Sequence, residues 1–432
     1  MIDFQAVLMA AGRGSRLAEL LSPDCPKYLL PVGNLPMIYY PLCALKRAGF
    51  RDVIVIVPNS NRYKIDETLS EKVGIRIEYV PVPASEDDLG TVESLRLVRD
   101  KLKKDVFVVS CDLVTDFDLG RLAEVHRTNN STLTALFAPM SPTLKESPVP
   151  GSRGKPKLEK DIVGLEPKTD RLVLFNSEAD FEEIVSVRRS VLRRHPVIGV
   201  RSDLVDAHAY VLSRWLLPWL VANKNIMTVK GELVPLVTKL QFHADPLKQQ
   251  KYQKRDDDDD LPETSIFRFV PKPPELGPIE SCYTLRQDEA EPIRCFGVVA
   301  RDEFLVRANT TAGYVEANRK AHQLDTTMFS QVAVGRFDNV MGDQVSLGEK
   351  ANVRQSVIGA RCRIGAKATV QSSVLMDDTC VGDGASVVGS VLCGTLEVGQ
   401  GSQLQNCVVC HKKNLPSGVR HANEVLGSFV EL

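Results

Sequence analysis

Apolar and polar positions alternate along the first 240 residues in a way that predicts strands separated by helices. The apolar runs, rich in Val and Ile, start at Ala6, Asp52, Arg76, Asp105 and Thr132. Between the first two, Ile38, Leu42 and Leu45 form a helical stripe that Gly49 ends. Near-continuous apolar strands between amphipathic helices predict a mainly parallel sheet covered on both faces. We therefore expect a Rossmann-like α/β domain over residues 1–241.

A different period governs the last hundred residues, where an aliphatic residue recurs about every six positions and glycine often follows it. The aliphatic positions are Leu347, Val353, Ile358, Ile364, Val370, Met376, Val381, Val387, Leu392, Val398 and Leu404. Such hexapeptide repeats predict triangular coils stacked around a shared core, a left-handed parallel β-helix over residues 331–432. The phase slips by one residue in places, which we interpret as coil-to-coil insertions.

Apolar doublets interrupt the hexads. They are Val374 with Leu375, Val391 with Leu392, and Val408 with Val409. If one residue of each doublet points outward, the doublets predict an apolar stripe for a partner protein. The alternative is that both residues of a doublet pack inside the coil.

The two periodic regions are joined by residues without clear periodicity. Residues 242–263 are polar, with a basic half followed by five aspartates at 256–260. A metal site is conceivable there, but no fold element supplies a rigid cage, and the composition favours a disordered, charged linker. Residues 264–330 mix short apolar runs with prolines, and we treat them as a connecting segment of unclear structure.

Composition excludes several classes of protein. The 432 residues carry a net charge of −1, so no overall field attracts nucleic acid or anionic membrane. The start contains Asp3 and no basic leader, and no apolar run approaches the ~20 residues of a membrane span. The ten cysteines are scattered. Cys407, Cys410 and His411 lack a complete tetrahedral zinc set, which favours buried thiols in a reducing cytosol.

Candidate binding chemistry lies at the end of the first predicted strand, in "AAGRGSRL". Gly12 and Gly14 would let backbone N–H groups approach a phosphate chain, and Arg16 could add a charge-assisted fork. Lys27, after Pro26, could contact a second phosphate. Alternatively, the glycines only permit a tight turn.

Two further candidates follow. Gly90 begins the predicted helix of "LGTVESL", where backbone groups could read a base edge. Asp112 follows an apolar strand, at the sheet end where ligands bind, and is a candidate Mg²⁺ ligand. A helix cap or loop carboxylate is the alternative for Asp112.

Together, these motifs resemble those of the sugar-phosphate nucleotidyltransferases, which join the same α/β domain to a β-helix. The resemblance implies that Gly12, Gly14, Arg16 and Lys27 contact a triphosphate and that Asp112 binds Mg²⁺.

The loop "RLAELLSPDCPKYLL" departs from that family's pattern, because Glu19 replaces a proline and one residue is inserted before Pro26. Asp206, Ala207 and His208 stand where the family has an Asn-Ala-Gly-type segment. They could act in acid–base chemistry or form the altered wall of a disused pocket, and we favour the latter. The second metal carboxylate expected after Glu232 and Pro235 is not recognisable. Two metals organise phosphoryl transfer, so we expect the transferase activity to be lost.

Within this family, "SCDLVTDFDL", "LVDAHAYVLS", "YVEANRK" and "HANEVLG" resemble the gamma-subunit family of eukaryotic translation initiation factor 2B. The resemblance implies a non-catalytic, cytosolic subunit with no required cofactor. Its partners would be the epsilon, alpha, beta and delta subunits in a two-fold decamer that exchanges GDP for GTP on translation initiation factor 2. The sequence ends at Leu432 without the epsilon-type helical domain, which favours gamma. An active sugar-1-phosphate nucleotidyltransferase, or a binding-only sensor that retains a nucleotide with Mg²⁺, is the alternative.

Overall fold

A computed structural model describes most of the chain. The described residues are 1–58, 68–83, 89–146, 148–154, 160–177, 187–242, 263–271, 291–324, 333–335 and 337–427. The predicted linker, apart from its two end residues, lies outside them, as do 272–290 and 325–330 of the predicted connecting segment and 331–332, 336 and 428–432 of the predicted β-helix.

The first domain alternates strands and helices. Its strands are β1 (Phe4–Met9), β2 (Pro31–Val32), β3 (Leu35–Pro36), β4 (Asp52–Val57), β5 (Arg76–Pro81), β6 (Asp105–Ser110), β7 (Leu113–Thr115), β8 (Leu133–Pro139), β9 (Asp161–Leu165), β10 (Leu172–Ser177), β11 (Gly199–Arg201), β12 (Leu204–Leu212), β13 (Cys295–Val299) and β14 (Leu305–Arg307). Its α-helices are α1 (Tyr39–Arg47), α2 (Thr68–Val73), α3 (Thr91–Leu97), α4 (Leu119–Thr128), α5 (Pro142–Glu146), α6 (Arg189–Arg194), α7 (Leu216–Ala222), α8 (Val234–Leu240) and α9 (Thr311–Lys320).

The central sheet has the order β13-β8-β12-β6-β1-β4-β5. Strands β6, β1, β4 and β5 run parallel, whereas β12 is antiparallel to both β6 and β8. Apolar clusters cover both faces, because successive side chains of each strand point to opposite sides. The predicted Rossmann-like domain is therefore confirmed.

The α/β domain takes in more of the chain than residues 1–241. Strand β13 pairs in parallel with β8 at the sheet edge, and β14 pairs with β7. Helix α9 packs over the β2–β3 hairpin, where the Gly33 N–H donates to Asn318 Oδ1 at 2.9 Å. The segment whose structure the sequence left open thus completes the first domain.

The second domain is a parallel β-helix. Its strands are β15 (Ala333–Gly335), β16 (Asn339–Met341), β17 (Ser346–Leu347), β18 (Asn352–Arg354), β19 (Val357–Ile358), β20 (Arg363–Ile364), β21 (Thr369–Gln371), β22 (Val374–Leu375), β23 (Thr379–Val381), β24 (Ser386–Val388), β25 (Val391–Leu392), β26 (Leu396–Val398), β27 (Gln403–Gln405), β28 (Val408–Val409), β29 (Arg420–Ala422) and β30 (Val425–Leu426). They stack into three sheets, one for each side of the coil.

Each coil contains 17 residues rather than 18. Val357 pairs with Val374 and Val374 with Val391, and both steps are 17 residues. The inward positions are Val353, Ile358, Ile364, Val370, Leu375, Val381, Val387, Leu392, Val398, Leu404 and Val409. Their spacing repeats as five, six and six residues. The slips are therefore a regular shortening of one side per coil, and the interpretation as insertions was wrong.

This register also corrects two sequence assignments. Leu375, not Met376, lies on the inner row, and Met376 packs outside the coil. In each doublet the second residue points inward, whereas Val374, Val391 and Val408 point outward. This outer row is buried against the first domain of the same chain. It is therefore not an exposed stripe for a partner, and the doublets do not pack wholly inside the coil.

The two domains share an apolar cluster, which we call the joint. From the α/β domain it takes Leu17, Leu20, Leu21, Tyr40, Tyr314 and Ala317, and from the β-helix Val357, Val374, Met376, Val391, Cys393 and Val408. Hydrogen bonds flank the joint: Asn34 Nδ2 donates to the Ile358 carbonyl at 2.7 Å, His411 Nε2 lies 3.0 Å from the Leu20 carbonyl, and the Gly151 N–H donates to the Asn406 carbonyl at 2.8 Å.

Among the described residues, no helix combines the length and apolar character needed to cross a bilayer.

Candidate functional site

The site lies beyond the carboxyl end of β6, where Asp112 follows the strand and is fully buried. Its Oδ2 accepts a hydrogen bond from Lys27 Nζ at 2.6 Å. Arg307, from β14, donates Nε to Oδ1 at 3.2 Å and Nη2 to Oδ2 at 3.1 Å. Two of the predicted site residues, Lys27 and Asp112, are thus brought together, but Lys27 binds Asp112 itself, whose carboxylate also binds Arg307.

The electrostatics of Asp112 follow from these partners. Burial acts to raise the pKa of this carboxyl, but the Arg307 guanidinium and the Lys27 ammonium outweigh it and hold the pKa well below its usual range. The carboxylate is therefore ionised and is neutralised within the chain.

A magnesium ion does not fit this arrangement. Magnesium is bound through carboxylate oxygens, and both oxygens of Asp112 already accept hydrogen bonds from cationic side chains. Among the described residues, no group of three or more His, Cys, Asp or Glu side chains is arranged to hold a metal. The assignment of Asp112 as a metal ligand stays a prediction, and these ion pairs argue against it.

The glycine-rich loop is shaped by packing. Gly14 has φ +74°, and a Cβ there would lie 3.0 Å from Leu21 Cδ1 and 3.2 Å from Lys27 Cβ. Glycine therefore suits this position, because a side chain there would strain the turn and press against these two neighbours. A Cβ at Gly12 would meet no described atom within 4 Å, and Arg16 is exposed. The phosphate-binding roles of Gly12, Gly14 and Arg16 stay predictions.

The residues after this loop belong to the joint. Leu17, Leu20 and Leu21 are buried against the β-helix rather than arranged around an open pocket. Burial also raises the pKa of Glu19, the acid that departs from the family pattern. The altered stretch is thus part of the contact between domains.

Gly90 has a structural reason to be glycine. A Cβ there would lie 2.3 Å from the Met227 carbonyl oxygen, so no other residue fits without movement of the backbone. The Gly90 N–H donates to Glu93 Oε2 at 2.8 Å, and the Val92 N–H donates to the Met227 carbonyl at 2.8 Å. Both backbone donors are therefore used within the chain, and a role for Gly90 in reading a base stays a prediction.

The Asp206–Ala207–His208 segment forms an irregularity in β12, where the register against β8 shifts. His208 has φ +51°, a conformation that glycine adopts without strain. Asp206 accepts the His208 N–H at 2.7 Å and the Tyr210 hydroxyl at 2.6 Å. The His208 side chain therefore occupies space that the glycine of the family's Asn-Ala-Gly-type segment would leave empty. This is what we expect of an altered pocket wall.

The acidic and basic side chains around this pocket wall are equal in number. Burial raises the pKa of Asp206, against the opposing effect of Lys230. Lys230 Nζ lies 3.0 Å from Oδ2 of Asp161, whose carboxylate is fully buried. Burial and the nearby Arg307 hold the pKa of His208 well below its usual range, so the imidazole is neutral. The pocket charge network, defined as Lys27, Asp112, Asp161, Asp206, Lys230 and Arg307, contains three acids and three bases.

Sequence reasoning missed three members of this network. Arg307 lies in the segment left as unclear, and a lone arginine within the apolar run "FLVRA" was the available signal. Lys230 immediately precedes the "GELVP" stretch, and Asp161 begins a strand whose place in the sheet the sequence does not reveal.

Comparisons with known proteins agree with this architecture. Residues 5–146 match the nucleotidyl transferase family, and residues 320–420 match the EIF2B subunit epsilon LbH domain. The translation initiation factor eIF2B subunit gamma of Schizosaccharomyces pombe is 28% identical, over 82% of this chain and 74% of the relative. The corresponding subunit of Caenorhabditis elegans is 32% identical, over 57% of this chain and 60% of the relative. A mannose-1-phosphate guanyltransferase of Yarrowia lipolytica is 30% identical over 37% of this chain.

Fold and site together define a nucleotidyltransferase-like α/β domain joined to a left-handed β-helix. The match to gamma subunits runs along most of the chain, whereas the match to the guanyltransferase covers about a third of it. The chain is thus similar to eIF2B gamma subunits over most of its length and to the nucleotidyl transferase family over residues 5–146.

Proposed function

We propose that this chain is a non-catalytic subunit of the eIF2B guanine nucleotide exchange complex. The main support for this proposal is the similarity to gamma subunits, which in two relatives extends over 82% of the chain and includes parts of both domains. If the chain were an active enzyme, its similarity to the guanyltransferases would be expected to extend as far along the chain as its similarity to gamma subunits. The similarity to the guanyltransferases covers 37% of the chain or less.

The proposal includes loss of sugar-phosphate nucleotidyl transfer. Such a reaction needs a metal and free cationic side chains to neutralise the triphosphate. In this site Arg307 and Lys27 are bound to Asp112, and the loop after Gly14 is buried in the joint. To bind a triphosphate with magnesium, the chain would first have to break a buried ion-pair network, which costs several kcal/mol.

The proposed partners are the epsilon, alpha, beta and delta subunits, assembled as a two-fold decamer in the cytosol. In this assembly the chain would support the epsilon subunit while the complex exchanges GDP for GTP on translation initiation factor 2. No cofactor is required for such a role, and a residual nucleotide with Mg²⁺ is the alternative.

The decisive experiment is native mass spectrometry of the assembly purified through a tag on this chain from its own cells. We expect one large hetero-complex that contains the four other subunits and stimulates GDP release from translation initiation factor 2. A homo-oligomer without those subunits would overturn the proposal.

A second assay addresses the enzyme alternative. The purified chain and the whole complex are incubated with GTP, mannose 1-phosphate and Mg²⁺, and pyrophosphate release is followed. We expect no release above a buffer blank, with an authentic guanyltransferase as the positive control. The Asp112→Asn variant tests the same point within the complex: the rate of exchange per assembled complex should be nearly unchanged. A large loss with intact assembly would show that the site takes part in exchange.

A further inference from the structure

A short stretch of the α/β domain concentrates positive charge. Residues 187–201, "VRRSVLRRHPVIGVR", contain five arginines and no acid. They cover α6, the turn that follows it, and β11. The net charge of the whole chain is −1, so this excess is local. Two of the five arginines are paired with acids outside the stretch, Arg194 with Glu291 and Arg201 with Asp203. We call this stretch the α6–β11 surface.

The same stretch exposes apolar side chains. Val187 is 37% exposed, Leu192 50%, Val197 64% and Val200 60%. Nine large apolar side chains of the described residues reach this level of exposure, and four of them lie within these 15 residues. Single exposed apolar residues are ordinary, but such a concentration marks an interaction surface.

Strand β11 adds an open backbone edge. It is the end strand of a sheet with the order β10-β9-β11 and pairs with β9 through Gly199, Val200 and Arg201. No strand among the described residues pairs with its other side. An open edge offers N–H and C=O groups that an extended peptide can pair with.

The surface stands on an ordered base. Val191 of α6 is buried with Val173 and Phe242, and the His195 ring packs edge-on against Phe242. Arg194 binds Glu291 at 2.9 Å. Because α6 is fixed from below, the exposed Arg189 and Arg193 project from a preformed surface, and little ordering cost is added on binding.

We propose that the α6–β11 surface binds an extended, acidic polypeptide segment that carries apolar side chains, supplied by a partner protein. The acidic side chains face the arginines, the apolar side chains cover Val197 and Val200, and the backbone pairs with the open edge of β11. Charge complementarity selects an acidic partner. A nucleic acid would use the arginines but would leave the valines in water, so we favour the polypeptide.

The test measures binding of defined probes to the full chain by fluorescence anisotropy. The probe is a short fluorescent peptide of alternating Glu and Val, in which an extended backbone places Val on one face and Glu on the other. Comparison probes are alternating Lys and Val, poly-Glu, and oligouridylate of similar length. The variants are Arg189→Glu/Arg193→Glu and Val197→Ser/Val200→Ser. The control is Lys412→Glu/Lys413→Glu, an equal charge reversal at an exposed corner of the β-helix.

We expect the Glu–Val peptide to bind more tightly than every comparison probe, and each surface variant to weaken it by roughly tenfold. The lysine control should leave binding unchanged. The charge contribution should fall with added salt while the apolar contribution persists. Equal binding by poly-Glu or tighter binding by oligouridylate would overturn the proposal, since the valines would then be irrelevant. Absence of peptide binding, or equal binding by the surface variants, would overturn it as well.

Discussion

Arg307 forms a two-pronged ion pair with Asp112 across 195 residues of sequence, Nε to Oδ1 at 3.2 Å and Nη2 to Oδ2 at 3.1 Å. In a metal-dependent transferase, a carboxylate at this strand end would face a divalent cation. Here the guanidinium supplies the positive charge, together with the ammonium of Lys27. The chain's own side chains therefore supply the positive charge. The Arg307–Asp112 ion pair also links β14 to the end of β6.

The first prediction concerns this ion pair. Arg307→Leu leaves the buried Asp112 with Lys27 alone, and breaking a buried pair costs about 3 kcal/mol. Differential scanning calorimetry should show a lower unfolding temperature. The matched control is Arg361→Leu, which removes a two-pronged pair with Asp378 at an exposed corner of the β-helix. Exposed pairs contribute little, so this variant should melt like the parent. Equal effects of both substitutions would show that burial of Asp112 is not what makes its partner important.

The sequence predicted the elements around this pair better than the pair itself. Apolar periodicity is a local property, so β1, β4, β6 and the stripe of α1 were readable. Arg307 is brought to Asp112 only because β14 pairs with β7, and pairing between distant strands leaves no local periodic signal. Lys27 and Asp112 were found because residues near strand ends converge at one edge of a parallel sheet.

In the β-helix, too, the sequence predicted the repeat but not which residue of each apolar pair faces the axis. The six-residue step was visible in the sequence. At one point, however, the prediction placed Met376 on the inner row, where the structure has its neighbour Leu375. Both members of each doublet are aliphatic, so hydrophobicity alone does not decide which one faces the axis. The 17-residue pairing register decides it.

The second prediction is a pH dependence of stability. Burial lowers the pKa of His126 to about 4, whereas an exposed histidine titrates near 6.5. The unfolded state therefore binds the additional proton between these values, and stability falls as the pH drops from about 6.5 to 4. The largest contribution of His126 is about 3 kcal/mol, and the lowered pKa of His208 acts in the same direction. The depressed pKa of Asp112 acts at lower pH: its stabilisation is present above the unfolded value of about 3.9 and is lost as the pH falls through the folded value.

The measurement is the unfolding temperature from pH 7.5 to 4. His126→Gln should flatten the decline over that range, at some loss of stability at pH 7.5 because Thr134 loses its 3.0 Å partner. A decline as steep in His126→Gln as in the parent would contradict the assignment.

The third prediction tests the joint. Val391→Asp places a carboxylate in the apolar contact between the domains, where it has no cationic partner among the described residues of that cluster. An uncompensated buried charge costs several kcal/mol, so the domains should separate. Small-angle scattering should then show a larger radius of gyration. Val388→Asp, on another side of the same coil and half-buried, is the control and should leave the radius unchanged. An unchanged radius in Val391→Asp would show that other contacts suffice to hold the domains together.

The fourth prediction concerns a polar ladder inside the β-helix, formed by Asn339, Ser356, Ser373, Ser390 and Cys407 at the same position of successive coils. Ser373 Oγ accepts the Ser390 N–H at 3.2 Å and donates to the Gln371 carbonyl at 2.8 Å. Ser373→Val leaves the buried Ser390 N–H without this acceptor, whereas the Gln371 carbonyl still accepts the Gly389 N–H at 2.9 Å. The loss of the acceptor should cost about 1–3 kcal/mol in chemical unfolding. Ser373→Cys should cost less, because Cys407 already occupies the equivalent position. Equal costs for the two variants would indicate that side-chain volume, not hydrogen bonding, limits the position.

The 17-residue repeat means that the outer row Val357, Val374, Val391 and Val408 looks nearly the same after a translation by one coil. A periodic face of this kind cannot by itself define where a neighbour docks along it. The docking position is specified by contacts that do not recur, among them the Asn34 amide on the Ile358 carbonyl, His411 on the Leu20 carbonyl and the Gly151 N–H on the Asn406 carbonyl. These hydrogen bonds therefore fix the register of the repetitive outer row against the first domain. Whole coils could accordingly be gained or lost beyond them without changing how the two domains meet.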